Sequence, residues 1–176
     1  MILAGILGTG TALPEKVITN KDLAKMVDTT DEWITERTGI RERRQAGPTE
    51  TTSNLSVKAA RKALDMAGIS PKDLDLIICS TISPDMPLPS TAAFIQRDLG
   101  ATTCCAFDLA AACSGFLFGM SVAEQFIKSG KVKYALEIPR MGSLILKHSS
   151  SWFGLIVVIP VGGSEDRWYK FKARVD

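Results

Sequence analysis

The chain has 176 residues, enough for one sizeable domain and too few for two comfortable ones. A hydrophobic share of 45%, a charged share of 23% and a net charge of +2 exclude a disordered chain and give no basic field for a nucleic acid. Four cysteines, two of them adjacent at Cys104 and Cys105, form neither a disulfide framework nor a zinc spacing, which fits a reducing cytoplasm. Met1 to Leu7 is too short for a secretion signal, and no window approaches the roughly 20 apolar residues of a membrane helix.

Ile2 to Leu7 reads as a strand and Gly8 to Pro14 as the loop that ends it. The Gly8, Gly10 pair opens like a dinucleotide fingerprint, but Leu13 stands where the third glycine belongs and Pro14 where a helix should begin. Asn20 to Val27 is expected as a short helix capped by Asn20, with Leu23, Met26 and Val27 on one face. A second helix follows from the Thr29-Thr30-Asp31-Glu32 cap and stops at Thr38-Gly39. Trp33 and Arg37 lie four apart on it and share a face. That arrangement suits stacking a flat ring and pairing a phosphate, and equally suits a tryptophan covered by an arginine stem. Arg37, Arg41, Arg43 and Arg44 are the one basic knot.

Gln45 to Thr52 reads as a surface loop. Ser53-Asn54 is expected to cap a helix with Leu55, Ala59, Ala63, Leu64 and Ala67 inward and Gly68 at its end. Leu74 to Thr81 has the continuous apolar character of a strand buried in a parallel sheet, with Cys79 as a core residue. Three prolines keep Ser83 to Pro89 out of helix and central strand. Ser90 then caps Thr91 to Leu99, ended by Gly100. Cys104 to Leu109 is the next strand. It leads through small residues to Cys113 and a helix over Phe116 to Gly130, with an apolar stripe of Phe116, Met120, Ala123, Phe126 and Ile127. Lys133 to Leu136 starts another strand. Alternating strands and helices with short loops make this an α/β pattern with a mostly parallel sheet and helices on both faces.

Cys113, at a strand-to-helix junction, faces the positive end of a helix dipole, which favours a thiolate and makes it a candidate nucleophile. A small cysteine buried in a tight turn is the other reading of the same residues. From Met1 to about Leu136 the chain closely resembles the first half of β-ketoacyl-acyl-carrier-protein synthase III, a condensing enzyme of the thiolase fold. The resemblance is collinear. It rests on Gly8-Thr9-Gly10 with Leu13-Pro14, on Thr29 to Ile34, on Arg37 to Ile40, on Pro89-Ser90 and on Asp108 to Gly115. Related thiolase-fold enzymes, such as plant polyketide synthases and hydroxymethylglutaryl-CoA synthases, also carry a cysteine at this junction, but the stretch from Thr29 to Ile40 argues against them.

The resemblance implies an incomplete thiolase-like fold, the first of two duplicated halves, in a cytoplasmic enzyme. It implies that Cys113 accepts an acyl group from a short acyl-CoA, and that malonyl-acyl-carrier protein then supplies the attacking carbanion. Trp33 and Arg37 match the residues that sandwich the adenine of coenzyme A, while Thr29 and Thr38 match positions lining the same site. Leu88 matches the bulky residue that reaches across a homodimer interface into the partner's acyl pocket. No metal or redox cofactor is implied, and neither a nucleic acid nor a membrane is an expected partner. The family's decarboxylating histidine and asparagine lie in the second half. The only histidine here, His148, sits in a polar stretch and matches no motif. Residues 137–176 read as an aberrant tail, with Glu137 to Arg140 interrupting the strand, and a shift of reading frame near Leu136 is the expected origin. Read two nucleotides on, codons able to encode Phe153 to Val161 spell a run with tryptophan, aspartate, arginine and cysteine, similar to the family at this point.

Overall fold

The architecture is set by three parallel strands, β3 (Leu76–Ser80), β4 (Cys105–Leu109) and β5 (Ala135–Pro139), in the order β4-β3-β5. The structure, a computed structural model, describes residues 4–139. His148, the apolar run before Pro160 and the first two residues of the expected N-terminal strand therefore lie outside the described residues, as does nearly all of the expected tail. Ala4 to Leu7 carry no strand pairing. Two short strands, β1 (Lys16–Thr19) and β2 (Glu42–Gln45), pair antiparallel in a separate ribbon that includes part of the segment expected to be loop.

Helices α1 (Asn20–Leu23) and α2 (Asp31–Thr38) fill the span between those two strands. The first is shorter than its apolar spacing suggests: it stops at Leu23 and leaves Met26 and Val27 exposed. Thr19, not Asn20, is its cap. The Thr19 side chain accepts from the Asp22 amide and the Asp22 carboxylate accepts from the Thr19 amide, a reciprocal pair that satisfies two otherwise free donors.

Helix α3 (Thr52–Ala67) is capped by Thr51, two residues before the expected cap, and ends on Gly68 in the left-handed conformation. Its inward residues Leu55, Ala59, Ala60, Ala63 and Leu64 pack with Ile95 and Leu99 of α4 (Thr91–Leu99) against Ile77, Cys79, Leu136 and Ile138 of the sheet. On the other face, α5 (Gly115–Lys128) packs Ala123 and Ile127 on Leu76, Ile78 and Ala135. Strand alternation explains the division: Leu76 and Ile78 point one way, Ile77 and Cys79 the other. The buried ridge of α5 is Gly115, Gly119, Ala123 and Ile127, four apart, and Phe116, Met120 and Phe126 of the expected stripe flank it half-buried.

Gly8 and Gly10 also have a structural reason. A Cβ at either would run into the backbone of α3, at the carbonyl oxygens of Ala63 and Ala59 respectively. The pair lets the N-terminal segment lie directly against a helix. Strand β5 continues through Pro139 with all five residues buried and in register with β3, so the strand does not break at Glu137.

Candidate active site

Cys113 lies in a single 3-10 turn, Ala112–Ser114, that runs straight into α5. Its thiol is exposed and free, so the reading of Cys113 as a buried packing residue is the one the structure does not support. The turn is tight. Ala112 has φ of 46°, in the left-handed region that a residue with a Cβ rarely adopts. The Ser114 amide donates to Ala111 O at 3.0 Å, and the Gly115 amide donates to Ala112 O.

Two polar links, one half-buried and one buried, hold this turn in place. Asp108, near the end of β4, accepts from the amides of Thr91 and Ala92 at 2.8 Å each, so its carboxylate sits at the positive start of α4 and ties that helix to the strand leading to Cys113. On the opposite side Ser80, the last residue of β3, reaches Gly115 O at 3.0 Å and Glu137 Oε1 at 2.7 Å. Burial pushes the Glu137 carboxyl up to about 8, a shift the Ser80 hydrogen bond partly offsets. Ser80 did not stand out in the sequence, and Glu137 stood out only as an interruption of the last strand, because a serine ending a strand and a glutamate in the next carry no periodic signal of their pairing.

The other cysteines differ. Cys79 and Cys104 are buried, and burial pushes the Cys104 thiol up. Cys105 is exposed at the start of β4, but the sequence reading gives it no role.

The second group of expected site residues lies on α2. Thr30 caps the helix, accepting from the Trp33 amide at 3.1 Å, and Gly39 ends it in the left-handed conformation. Asn20, expected as a cap, is instead buried between segments: its Nδ2 donates to Asp31 Oδ1 at 2.7 Å, Ile40 O at 2.8 Å and Thr35 Oγ1 at 3.3 Å. That amide holds the Asp31 carboxyl below the usual carboxylate range. Ile34 turns inward to Ile18 and Leu23, leaving Trp33 and Arg37 on the outer face.

The Arg37 guanidinium lies 5.0 Å from the Trp33 ring centroid, a cation–π contact, and Trp33 remains 54% exposed. Arg37 is exposed as well. Thr38 donates from Oγ1 to Ile34 O at 2.7 Å and accepts from the Ile40 amide at 3.1 Å, so its hydroxyl is engaged with its own backbone. Thr29 is half-buried, and its hydroxyl has no partner among the described residues.

Leu88 is 83% exposed, in the proline-rich loop between β3 and α4, and the Leu88–Pro89 peptide is cis. Leu117 and Phe118, on the first turn of α5, are also exposed, so the surface beside Cys113 is apolar. A depression of about 350 Å³ lined by Thr49, Glu50, Asn54, Leu55, Val57, Lys58 and Asp98 includes none of the expected site residues. Among the described residues no helix is long and apolar enough to cross a membrane, and no group of three or more His, Cys, Asp or Glu side chains is placed to hold a metal ion.

Comparison with known proteins agrees with the resemblance. The family described as 3-oxoacyl-[acyl-carrier-protein] synthase III matches residues 107–139, a span containing Cys113 and Glu137. The β-ketoacyl-[acyl-carrier-protein] synthase III of Caldanaerobacter subterraneus subsp. tengcongensis is 54% identical over 137 residues, covering 78% of this chain and 41% of the relative. That of Xylella fastidiosa is 56% identical over 137 residues, covering 78% and 42%. Among solved structures, the 3-oxoacyl-[acyl-carrier-protein] synthase III of Aquifex aeolicus superposes with a TM-score of 0.81 at 44% identity, covering 93% of this chain and 55% of its own. The priming β-ketosynthase of the R1128 polyketide pathway gives a TM-score of 0.82 at 34% identity, covering 90% and 50%. The fold is thus a partial α/β thiolase-like fold, and the chain spans about two-fifths of the length of the curated relatives it matches.

Proposed function

We propose, from its similarity to the first part of the β-ketoacyl-[acyl-carrier-protein] synthases III, that this chain is the nucleophile-bearing part of such an acyltransferase, with Cys113 as the acyl acceptor. The observation that carries the reading is an exposed thiol on a tight turn opening into a 14-residue helix, inside the segment that matches the family. The Cys113 sulfur attacks the carbonyl carbon of a short acyl-CoA. The bond from that carbon to the coenzyme A sulfur breaks, and coenzyme A leaves with the proton given up by Cys113. A thiolate suits both halves of such a transfer, because it attacks a thioester readily and leaves as readily. Backbone N–H groups at the start of α5 stabilise the oxyanion formed on the way.

Trp33 and Arg37 bind the coenzyme's adenine and a phosphate, with Thr29 and Thr38 lining the same site. An exposed ring already paired with a guanidinium is prepared for a flat, anionic ligand. Malonyl-acyl-carrier protein supplies the carbanion of the second step, with no metal or redox cofactor, in a homodimer where Leu88 closes the partner's acyl pocket. The setting is the cytoplasm. In this reading the first thiolase-like half, expected to end near Leu136, runs on through the end of β5 at Pro139, where the family match also ends, and the tail of different origin follows it.

A second reading limits these 176 residues to partial acyl transfer at Cys113, or to no catalysis. It draws on the apolar surface left open at Leu88, Leu117 and Phe118, which a complete acyl pocket would cover. Incubation with acetyl-CoA followed by mass spectrometry tests the acyl acceptor, and carbon dioxide release from malonyl-acyl-carrier protein separates complete from partial transfer: one acetyl group on Cys113, absent in Cys113→Ser, supports an acyl acceptor. No adduct, or an equal adduct in Cys113→Ser, sinks it.

A further inference from the structure

We propose that Glu137 is a positioning residue for Cys113, acting as a neutral acid through Ser80 on the first residue of α5. The inference deepens the reading of Cys113 as the acyl acceptor and rests on it.

Ser80 Oγ lies 3.0 Å from Gly115 O and 2.7 Å from Glu137 Oε1, both buried. A serine hydroxyl has one hydrogen, and a backbone carbonyl can only accept. Two full hydrogen bonds, rather than one hydrogen shared between two acceptors, require that Ser80 donate to Gly115 O and Glu137 donate to Ser80 Oγ. Glu137 must then carry its proton. Glu137 Oε1–H to Ser80 Oγ–H to Gly115 O is a directed chain that ends two residues from Cys113.

The surroundings agree. Glu137 is fully buried, and its second oxygen has no partner among the described residues. Gly119 lies directly over it: a Cβ there would stand 2.6 Å from Glu137 Oε1 and 3.0 Å from Ser80 Oγ. The space on this face of α5 is thus shaped around the pair. The described elements packed against Glu137 bring no charge to it. Leu76 and Ile78 of β3, Ala135 of β5, and Gly115, Gly119 and Ala123 of α5 are neutral. The Cys79 thiol belongs to the cluster on the opposite sheet face, and Glu124 and Lys128 pair with each other at 2.7 Å on the partly exposed side of α5. Burial pushes the Glu137 carboxyl up, which favours the proton that this chain requires.

When Glu137 loses its proton to solvent, the Ser80 hydrogen turns to the carboxylate and Gly115 O loses its donor. A negative charge then sits beneath the first turn of α5 and opposes the thiolate at Cys113. The same segment that holds the nucleophile in place at lower pH works against it at higher pH.

The test reads alkylation of Cys113 by iodoacetamide, mapped by peptide mass spectrometry to separate it from Cys105, in the wild-type chain and in Glu137→Gln from pH 6 to pH 9.5. Alkylation needs only a reactive thiol, so its outcome is independent of whether acetyl-CoA acylates the protein. The ratio of wild-type to Glu137→Gln rates is expected to be flat below pH 7 and to fall about threefold above pH 8. A ratio constant across the range overturns the inference. The infrared carboxyl band of wild-type protein needs no variant: a neutral buried acid persisting at pH 7 supports it, and full ionisation of Glu137 at pH 6 overturns it.

Discussion

The two faces of the central sheet are built on different terms. Toward α3 and α4, Ile77, Cys79, Leu136 and Ile138 meet alanine, leucine and isoleucine, an apolar interior of the ordinary kind. Toward α5, next to Leu76 and Ile78, the sheet presents Ser80 and Glu137 to two glycines, and the helix they support begins beside an exposed thiol on a strained turn. The first face supplies stability. The second gives some of it up for a buried acid placed under the residue assigned the chemistry.

The largest effect expected from this contrast is a pH slope on one face only. Glu137 has a folded pKa of about 8 against an ordinary 4.5, so the neutral form is favoured by folding. Its contribution is fully present below pH 4.5 and is lost as pH rises through about 8, on the order of 5 kcal/mol in all. Glu137→Val should therefore raise stability far more at pH 9 than at pH 5 in urea titrations. A gain equal at the two pH values would contradict the assignment.

Ile77→Ala, on the apolar face, should cost about 3 kcal/mol at either pH, because a fully buried side chain is deleted and the space cannot collapse. The same titrations read it, and a pH-dependent loss would place an ionisable carboxyl where the fold puts none. Gly119→Ala should cost about 2 kcal/mol by overpacking against Glu137, and much of that should vanish in the double substitution with Glu137→Val. Additive losses would mean that the two positions do not touch. Trp33→Ala, on an exposed ring outside both faces, should change stability by less than about 0.5 kcal/mol.

The apolar face was largely legible in the sequence. Leu55, Ala59, Ala63 and Leu64 at three- and four-residue spacing, the Ser90 cap, and the glycines ending α3 and α4 name their elements outright. The β1–β2 ribbon was not. Glu42-Arg43-Arg44-Gln45 has no strand-like character, and its pairing with Lys16 to Thr19 brings together residues more than twenty apart. The caps slipped by one or two residues because Thr19 and Thr51 stand beside equally good polar candidates, and only the backbone decides among them.

For the site, position was legible and support was not. Cys113 at a helix start and the Trp33–Arg37 face follow from local spacing. The Ser80–Glu137 link joins residues 57 apart, and Asp108 reaches α4 across 16, so no local pattern announces either. Asn20 shows the same limit: a good cap residue by type, it is spent on joining α1 to α2 instead.

The central claim is that the thiol of Cys113 and the face carrying Trp33 and Arg37 serve one acyl-CoA. Its most direct measurement compares the rate of Cys113 acetylation by acetyl-CoA with that by acetyl-N-acetylcysteamine, a thioester lacking the adenine and phosphates, in the wild-type chain and in Trp33→Ala. The account predicts a clear preference for acetyl-CoA in the wild-type chain that Trp33→Ala removes, with the rate toward the short thioester unchanged. Equal rates for the two thioesters in the wild-type chain, or a preference that survives the loss of the ring, would contradict it.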